Sequence, residues 1–239
     1  MSSPAFELHN PIIVALDVDT AEECLSLAET LRGKVGAYKV GPRLMVRYGA
    51  DLSSRLAQLG PVFIDNKYLD IPSTMEYAVR ASFAAGATLA TVHAWGGPEA
   101  LTRLAQVEAE LSQTKPFKIL AVTVLTSFSS ETLPPGLRER AIDKQVDELA
   151  SMTLACGLSG LVCSPQEVAA LRAKSSSAYL VTPGVRLAED DRGDQKRVET
   201  PGEAMKRGAS ALVIGRPIIG AKDPVLAAEK MLASIREAR

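Results

Sequence analysis

Hydrophobic residues along this chain gather into eight short runs, at 12–17, 37–41, 62–67, 88–93, 118–126, 160–163, 178–185 and 211–215. Between them the pattern changes to helical spacing. Thr20, with Glu23 three residues on, reads as the start of a helix reaching about residue 32. Pro42 opens a second helical stretch with apolar spacing through Leu59, and others follow at 74–85, from Gly97 to 112, at 141–156, at 166–173 and at 224–238. The runs are continuously apolar rather than alternating, which marks parallel strands covered on both faces.

Eight strand-and-helix units in 239 residues predict an α/β fold, a single (β/α)8 TIM barrel spanning residues 1–239. An open doubly wound sheet is the competitor. It would usually carry a glycine-rich phosphate loop after its first strand, where this chain has Leu16-Asp17-Val18-Asp19. No linker, low-complexity tract or second domain interrupts the pattern.

Composition adds a few limits. The chain is 46% hydrophobic and sets 27 Lys and Arg against 28 Asp and Glu, a net charge of -1. That balance gives no electrostatic case for nucleic acid or an anionic membrane as partner. No apolar stretch approaches the ~20 residues that span a bilayer, and the first ten residues lack a signal-peptide pattern. A cytoplasmic protein is expected. Cys24, Cys156 and Cys163 lie in apolar contexts without a CxxC pair, so they read as small core hydrophobes rather than disulfide or zinc ligands.

The chemistry concentrates in Val62-Phe63-Ile64-Asp65-Asn66-Lys67-Tyr68-Leu69-Asp70-Ile71-Pro72. Strand alternation puts Asp65 and Lys67 on one face, and Asp70 follows just past the strand end. Alone, the stretch reads equally well as a salt bridge at a strand end. Its setting changes that. A barrel holds its active site at the C-terminal strand ends, and there this chain has Asp17, Lys39, Asp65 with Lys67, His93, Thr126 with Ser127, Arg186, and Gly215 with Arg216. Two carboxylates and two ammoniums can form an alternating network that holds Lys67 protonated and fixed, as a general acid requires. Across the rim, Gly184, Gly215, Arg186 and Arg216 suit a phosphate at strands seven and eight. The polar segment from Arg186 to Arg197 is a candidate lid.

These residues carry a resemblance. Asp65-x-Lys67-x-x-Asp70-Ile71-Pro72-x-Thr74 resembles the signature of the orotidine 5'-phosphate decarboxylase family. So do Ala15-Leu16-Asp17, Leu125-Thr126-Ser127, Thr182-Pro183-Gly184-Val185-Arg186, Gly193-Asp194-Gln195 and Ile214-Gly215-Arg216-Pro217. The order and extent are similar to the bacterial-type branch. Asn66 and Ser73 depart from the usual pattern without touching a charged position. The DxKxxD core is shared with keto-gulonate-phosphate decarboxylases and hexulose-phosphate synthases, so the Leu-Thr-Ser and Gly-Asp-Gln segments are what favour orotidylate.

The resemblance implies decarboxylation of orotidine 5'-monophosphate to uridine 5'-monophosphate, in pyrimidine biosynthesis, with no metal and no organic cofactor. It makes Lys67 the proton donor, with Asp65 linking Lys39 and Lys67, and Asp17 and Lys39 on the ribose. Thr126 and Ser127 would meet the base, and Arg186, Gln195, Gly215 and Arg216 the phosphate. Asp70, Ile71 and Thr74 would reach the site of a neighbouring subunit in a homodimer. His93 also ends a strand at this rim, but the family signature assigns it no essential role, so a structural hydrogen bond is expected rather than proton transfer. A metal-dependent phosphosugar decarboxylase or aldolase of the same superfamily remains the alternative, and a catalytically silent binding barrel stands behind it.

Overall fold

A computed structural model describes residues 6–186 and 199–238. Eight parallel strands close on themselves in sequence order: β1 (Ile12–Ala15), β2 (Ala37–Val40), β3 (Val62–Tyr68), β4 (Ala87–His93), β5 (Lys118–Val122), β6 (Gly160–Val162), β7 (Tyr179–Pro183) and β8 (Ala211–Ile214). The β1–β8 register, Ile12 against Leu212 through Val14 against Ile214, seals the ring. The helices are α1 (Ala21–Thr30), α2 (Pro42–Ala57), α3 (Pro72–Ala84), α4 (Gly97–Leu111), α5 (Ile142–Ala155), α6 (Val168–Lys174), α7 (Pro201–Lys206), α8 (Arg216–Ile219) and α9 (Pro224–Glu237). The expected (β/α)8 barrel is the observed architecture.

Local chemistry explains several boundaries. The Thr20 hydroxyl accepts the Glu23 amide at 3.1 Å, the cap anticipated for α1. Proline occupies the first turn of α2, α3, α4 and α9, where its missing N–H costs nothing. Three expectations need adjusting. The fifth strand ends at Val122, not Thr126, because the chain turns away and Phe128 bonds back to Leu125. The third helix begins at Pro72 rather than Thr74. Two short helices, α7 and α8, were not anticipated, being too brief for a helical period to register in the sequence.

Strand alternation splits the apolar runs into two cores. Ile12, Val14, Tyr38, Val40, Val62 and Ile64 belong to the larger cluster shared with the helices. Ile13, Ala37, Phe63, Leu89, Leu120, Tyr179, Val181 and Ala211 form the second, inside the barrel. Leu8 joins this inner cluster and Phe6 packs against it, its ring perpendicular to Tyr179 at 5.0 Å. The chain ahead of β1 thus plugs one end of the barrel and leaves the other for chemistry.

Candidate active site

The period of two that builds the inner core also builds the site. Two residues beyond Ala37, Phe63 and Leu89 come Lys39, Asp65 and Thr91, on the same inward face one layer higher. Burying charge there is tolerable only if each group is paired. Asp65 meets that need with both oxygens: Oδ1 accepts from Lys67 Nζ at 2.8 Å and from Thr91 Oγ1 at 3.0 Å, while Oδ2 lies 3.2 Å from Lys39 Nζ. Lys39 Nζ also lies 3.5 Å from Asp17 Oδ1. The order Asp17, Lys39, Asp65, Lys67 is the alternating network expected from the sequence.

The electrostatics follow from this geometry. Burial alone would raise the Asp65 pKa, but Lys39 and then Lys67, helped by hydrogen bonds from Lys67 and Thr91, hold it below the usual carboxylate range. Burial pulls on Lys39 in the opposite sense, and Asp65 and Asp17 outweigh it, leaving the ammonium above its ordinary value. His93 is shifted down, first by burial and then by Lys67. Its Nδ1 is buried with no hydrogen-bond partner among the described residues, so the structural bond expected for it is not made at that atom.

Lys67 departs from simple alternation. Ile64 pairs with Ala90 and Tyr68 with Val92, so β3 bulges between them. Lys67 takes φ of 51°, the sole non-glycine residue at positive φ among those described. Such a conformation costs roughly 1–3 kcal/mol and concentrates at functional sites.

A cavity of about 540 Å³ opens over this network. Ala15, Phe63, Val162, Val181 and Val213 supply apolar surface, and Asp17, Lys39, Asp65 and Lys67 line it on one side. Thr126 and Ser127 reach it from the turn after β5, and Gly184, Arg186, Gly215 and Arg216 from the ends of β7 and β8. Gly184 has φ of 80°, which a side-chain-bearing residue rarely adopts. Asp70, Ile71 and Thr74 do not line this cavity; Asp70 Oδ1 accepts the Ile71 amide at 2.7 Å and faces solvent. Gln195 lies outside the described residues, as does the segment 187–198.

Two residues at the site escaped the sequence reading. Arg43, in the first turn of α2, lines the cavity and donates from Nη1 to the Asp17 carbonyl at 2.9 Å and from Nε and Nη2 to Asp19 Oδ1. Nothing in its local pattern marks it. Thr91 is different: it is a polar residue on the inward face of an apolar strand, two before His93, and the period alone could have flagged it.

A model of the "Orotidine 5'-phosphate decarboxylase / HUMPS family" matches residues 10–231. The chain belongs to that family. Among its relatives is an orotidine 5'-phosphate decarboxylase from Trichlorobacter lovleyi, 43% identical over 232 residues that make up 96% of each chain. One from Parasynechococcus marenigrum is 46% identical over 219 residues, 89% of each. The crystal structure of orotidine 5'-phosphate decarboxylase from Lactobacillus acidophilus superimposes with a TM-score of 0.82 at 34% identity, covering 95% of this chain and 99% of that one.

Proposed function

We propose that this protein converts orotidine 5'-monophosphate to uridine 5'-monophosphate and carbon dioxide. The observation that carries the reading is the alternating Asp17–Lys39–Asp65–Lys67 network beneath a cavity whose far rim holds two arginines and two glycines. The first half suits a reaction that builds negative charge on carbon, the second a phosphate that anchors the substrate. Loss of carbon dioxide leaves an electron pair on the pyrimidine carbon. The Lys67 ammonium, fixed against Asp65, stabilises that charge and then delivers its proton to the same carbon. Asp17 and Lys39 hold the ribose hydroxyls, Thr126 and Ser127 the base, and Arg186, Gln195, Gly215 and Arg216 the phosphate. Binding energy from the phosphate, remote from the reacting carbon, can then be used to assemble the charged site.

The site is completed by a second copy of the chain. Asp70 does not line its own cavity, and Leu69, Ile71 and, in α3, Tyr77 are 54%, 63% and 73% exposed. Apolar side chains so exposed around a motif carboxylate favour a homodimer in which the partner subunit's Asp70 lies against the substrate carboxylate. Its charge there raises the ground state relative to the transition state.

The metal-dependent phosphosugar reading is less well supported. Lys39 stands between Asp17 and Asp65, and its ammonium fills the position a cation would take between those carboxylates. Lys67→Ala tests the assignment. It is expected to abolish turnover of orotidine 5'-monophosphate while nucleotide binding stays measurable. Turnover within a factor of ~10 of the parent, only ~1.4 kcal/mol in barrier, would remove Lys67 from its role.

A further inference from the structure

Thr91 is fully buried on the inward face of β4 and touches the catalytic network at two atoms. Opposite it, β3 places three residues, Asp65, Asn66 and Lys67, between the pairs Ile64–Ala90 and Tyr68–Val92. A bulge of this kind removes regular ladder bonds from the strand that carries it. The Thr91 hydroxyl replaces one of them, since its oxygen accepts the Lys67 backbone N–H at 2.9 Å. Its single proton then goes to Asp65 Oδ1 at 3.0 Å. That same oxygen accepts from Lys67 Nζ at 2.8 Å. The contacts form a closed ring: lysine amide to threonine oxygen, threonine proton to carboxylate, carboxylate to lysine ammonium.

We infer that Thr91 is the positioning residue of this site, its hydroxyl holding Lys67 at both ends, by the backbone directly and by the ammonium through Asp65. The inference rests on the reading of Lys67 as proton donor. A left-handed lysine persists only where its surroundings over-determine it, and no other polar side chain on β4 bonds to this bulge among the described residues. Packing cannot substitute for the bond. A methyl group in place of the hydroxyl would leave the Lys67 amide without an acceptor and Asp65 Oδ1 with one donor fewer. The ammonium would keep its partner, but the backbone from which it projects would be released.

Thr91→Val and Thr91→Ser separate the hydroxyl from the shape. Valine keeps the volume and loses the oxygen, and serine keeps the oxygen and loses a methyl. Steady-state kinetics on orotidine 5'-monophosphate, with Lys67→Ala in the same series, is the measurement. For Thr91→Val we expect kcat to fall by roughly 10- to 100-fold, the cost of misplacing a reacting group by a fraction of an ångström, with KM within about threefold of the parent. Thr91→Ser should keep kcat within about threefold of the parent. A kcat for Thr91→Val equal to the parent's, an equal loss in both variants, or a loss confined to KM would each overturn the inference. Should the valine variant not fold, Thr91→Ala takes its place against serine with the same criteria. If Lys67→Ala keeps its turnover, the proton-donor reading fails. If Lys67→Ala is inactive and Thr91→Val is unimpaired, only the role of Thr91 fails.

Discussion

Asp65 shows how one residue ties stability to chemistry. It sits between Lys39 and Lys67, accepts from Thr91, and loses most of its exposure to water in doing so. Its pKa is depressed in the folded protein, so the stability it contributes is fully present above the ordinary carboxylate value near ~4 and is lost as pH falls through the folded value. Asp65→Asn keeps the shape, removes the carboxylate from Lys67, and leaves the nearly buried Lys39 with Asp17 alone, at 3.5 Å. At neutral pH the variant should be less stable by about 3 kcal/mol. Thermal melts of parent and variant from pH 7 downwards check this, and the gap should narrow as the parent's carboxylate becomes protonated. A gap that stays constant to pH 3 would mean that the charge of Asp65 adds nothing to stability.

At the scale of elements, the barrel was legible because parallel strands buried on both sides leave continuous apolar runs, and all eight runs coincide with strands. Much of the rim was legible for the same reason: Asp17, Lys39, Asp65, Lys67, Arg186 and Gly215 are polar or small residues in or just past the last part of an apolar run, although the end of β5 was not. What escaped the sequence depends on contacts distant along the chain. The bulge at Lys67 is met by the Thr91 hydroxyl from across the sheet, whereas a strict period of two would have carried Lys67 straight on from Asp65. The plug formed by Phe6 and Leu8 has too few residues to show a period. Tight joints between strands are similarly invisible until the sheet is closed. At Gly160 in β6, an added Cβ would stand 2.2 Å from the Ile119 carbonyl oxygen, a backbone atom that cannot step aside. Gly160→Ala should therefore cost about 1–3 kcal/mol and lower the melting temperature by roughly 2–10 °C. An unchanged melting curve would show that β5 and β6 can separate at that point without penalty.

As a whole molecule, the protein opens a cavity over the charged network and places Asp70 outside its lining. The shared-site proposal makes a quantitative statement about two inactive proteins. When Lys67→Ala and Asp70→Ala chains exchange freely, about half of the dimers are mixed, each with one intact site, so roughly a quarter of parental activity should return. No recovery, with exchange confirmed by mass, would place Asp70 in its own chain's chemistry. The proposed reaction rests on the Lys67 ammonium, held against Asp65, to stabilise the developing carbanion, with arginines across the cavity for the phosphate. The most direct test is to follow the ultraviolet absorbance of orotidine 5'-monophosphate with purified protein after exhaustive chelation. A metal-free reaction should give full loss of substrate and stoichiometric uridine 5'-monophosphate at the unchelated rate. Turnover that disappears with the chelator and returns only with added divalent metal would contradict it.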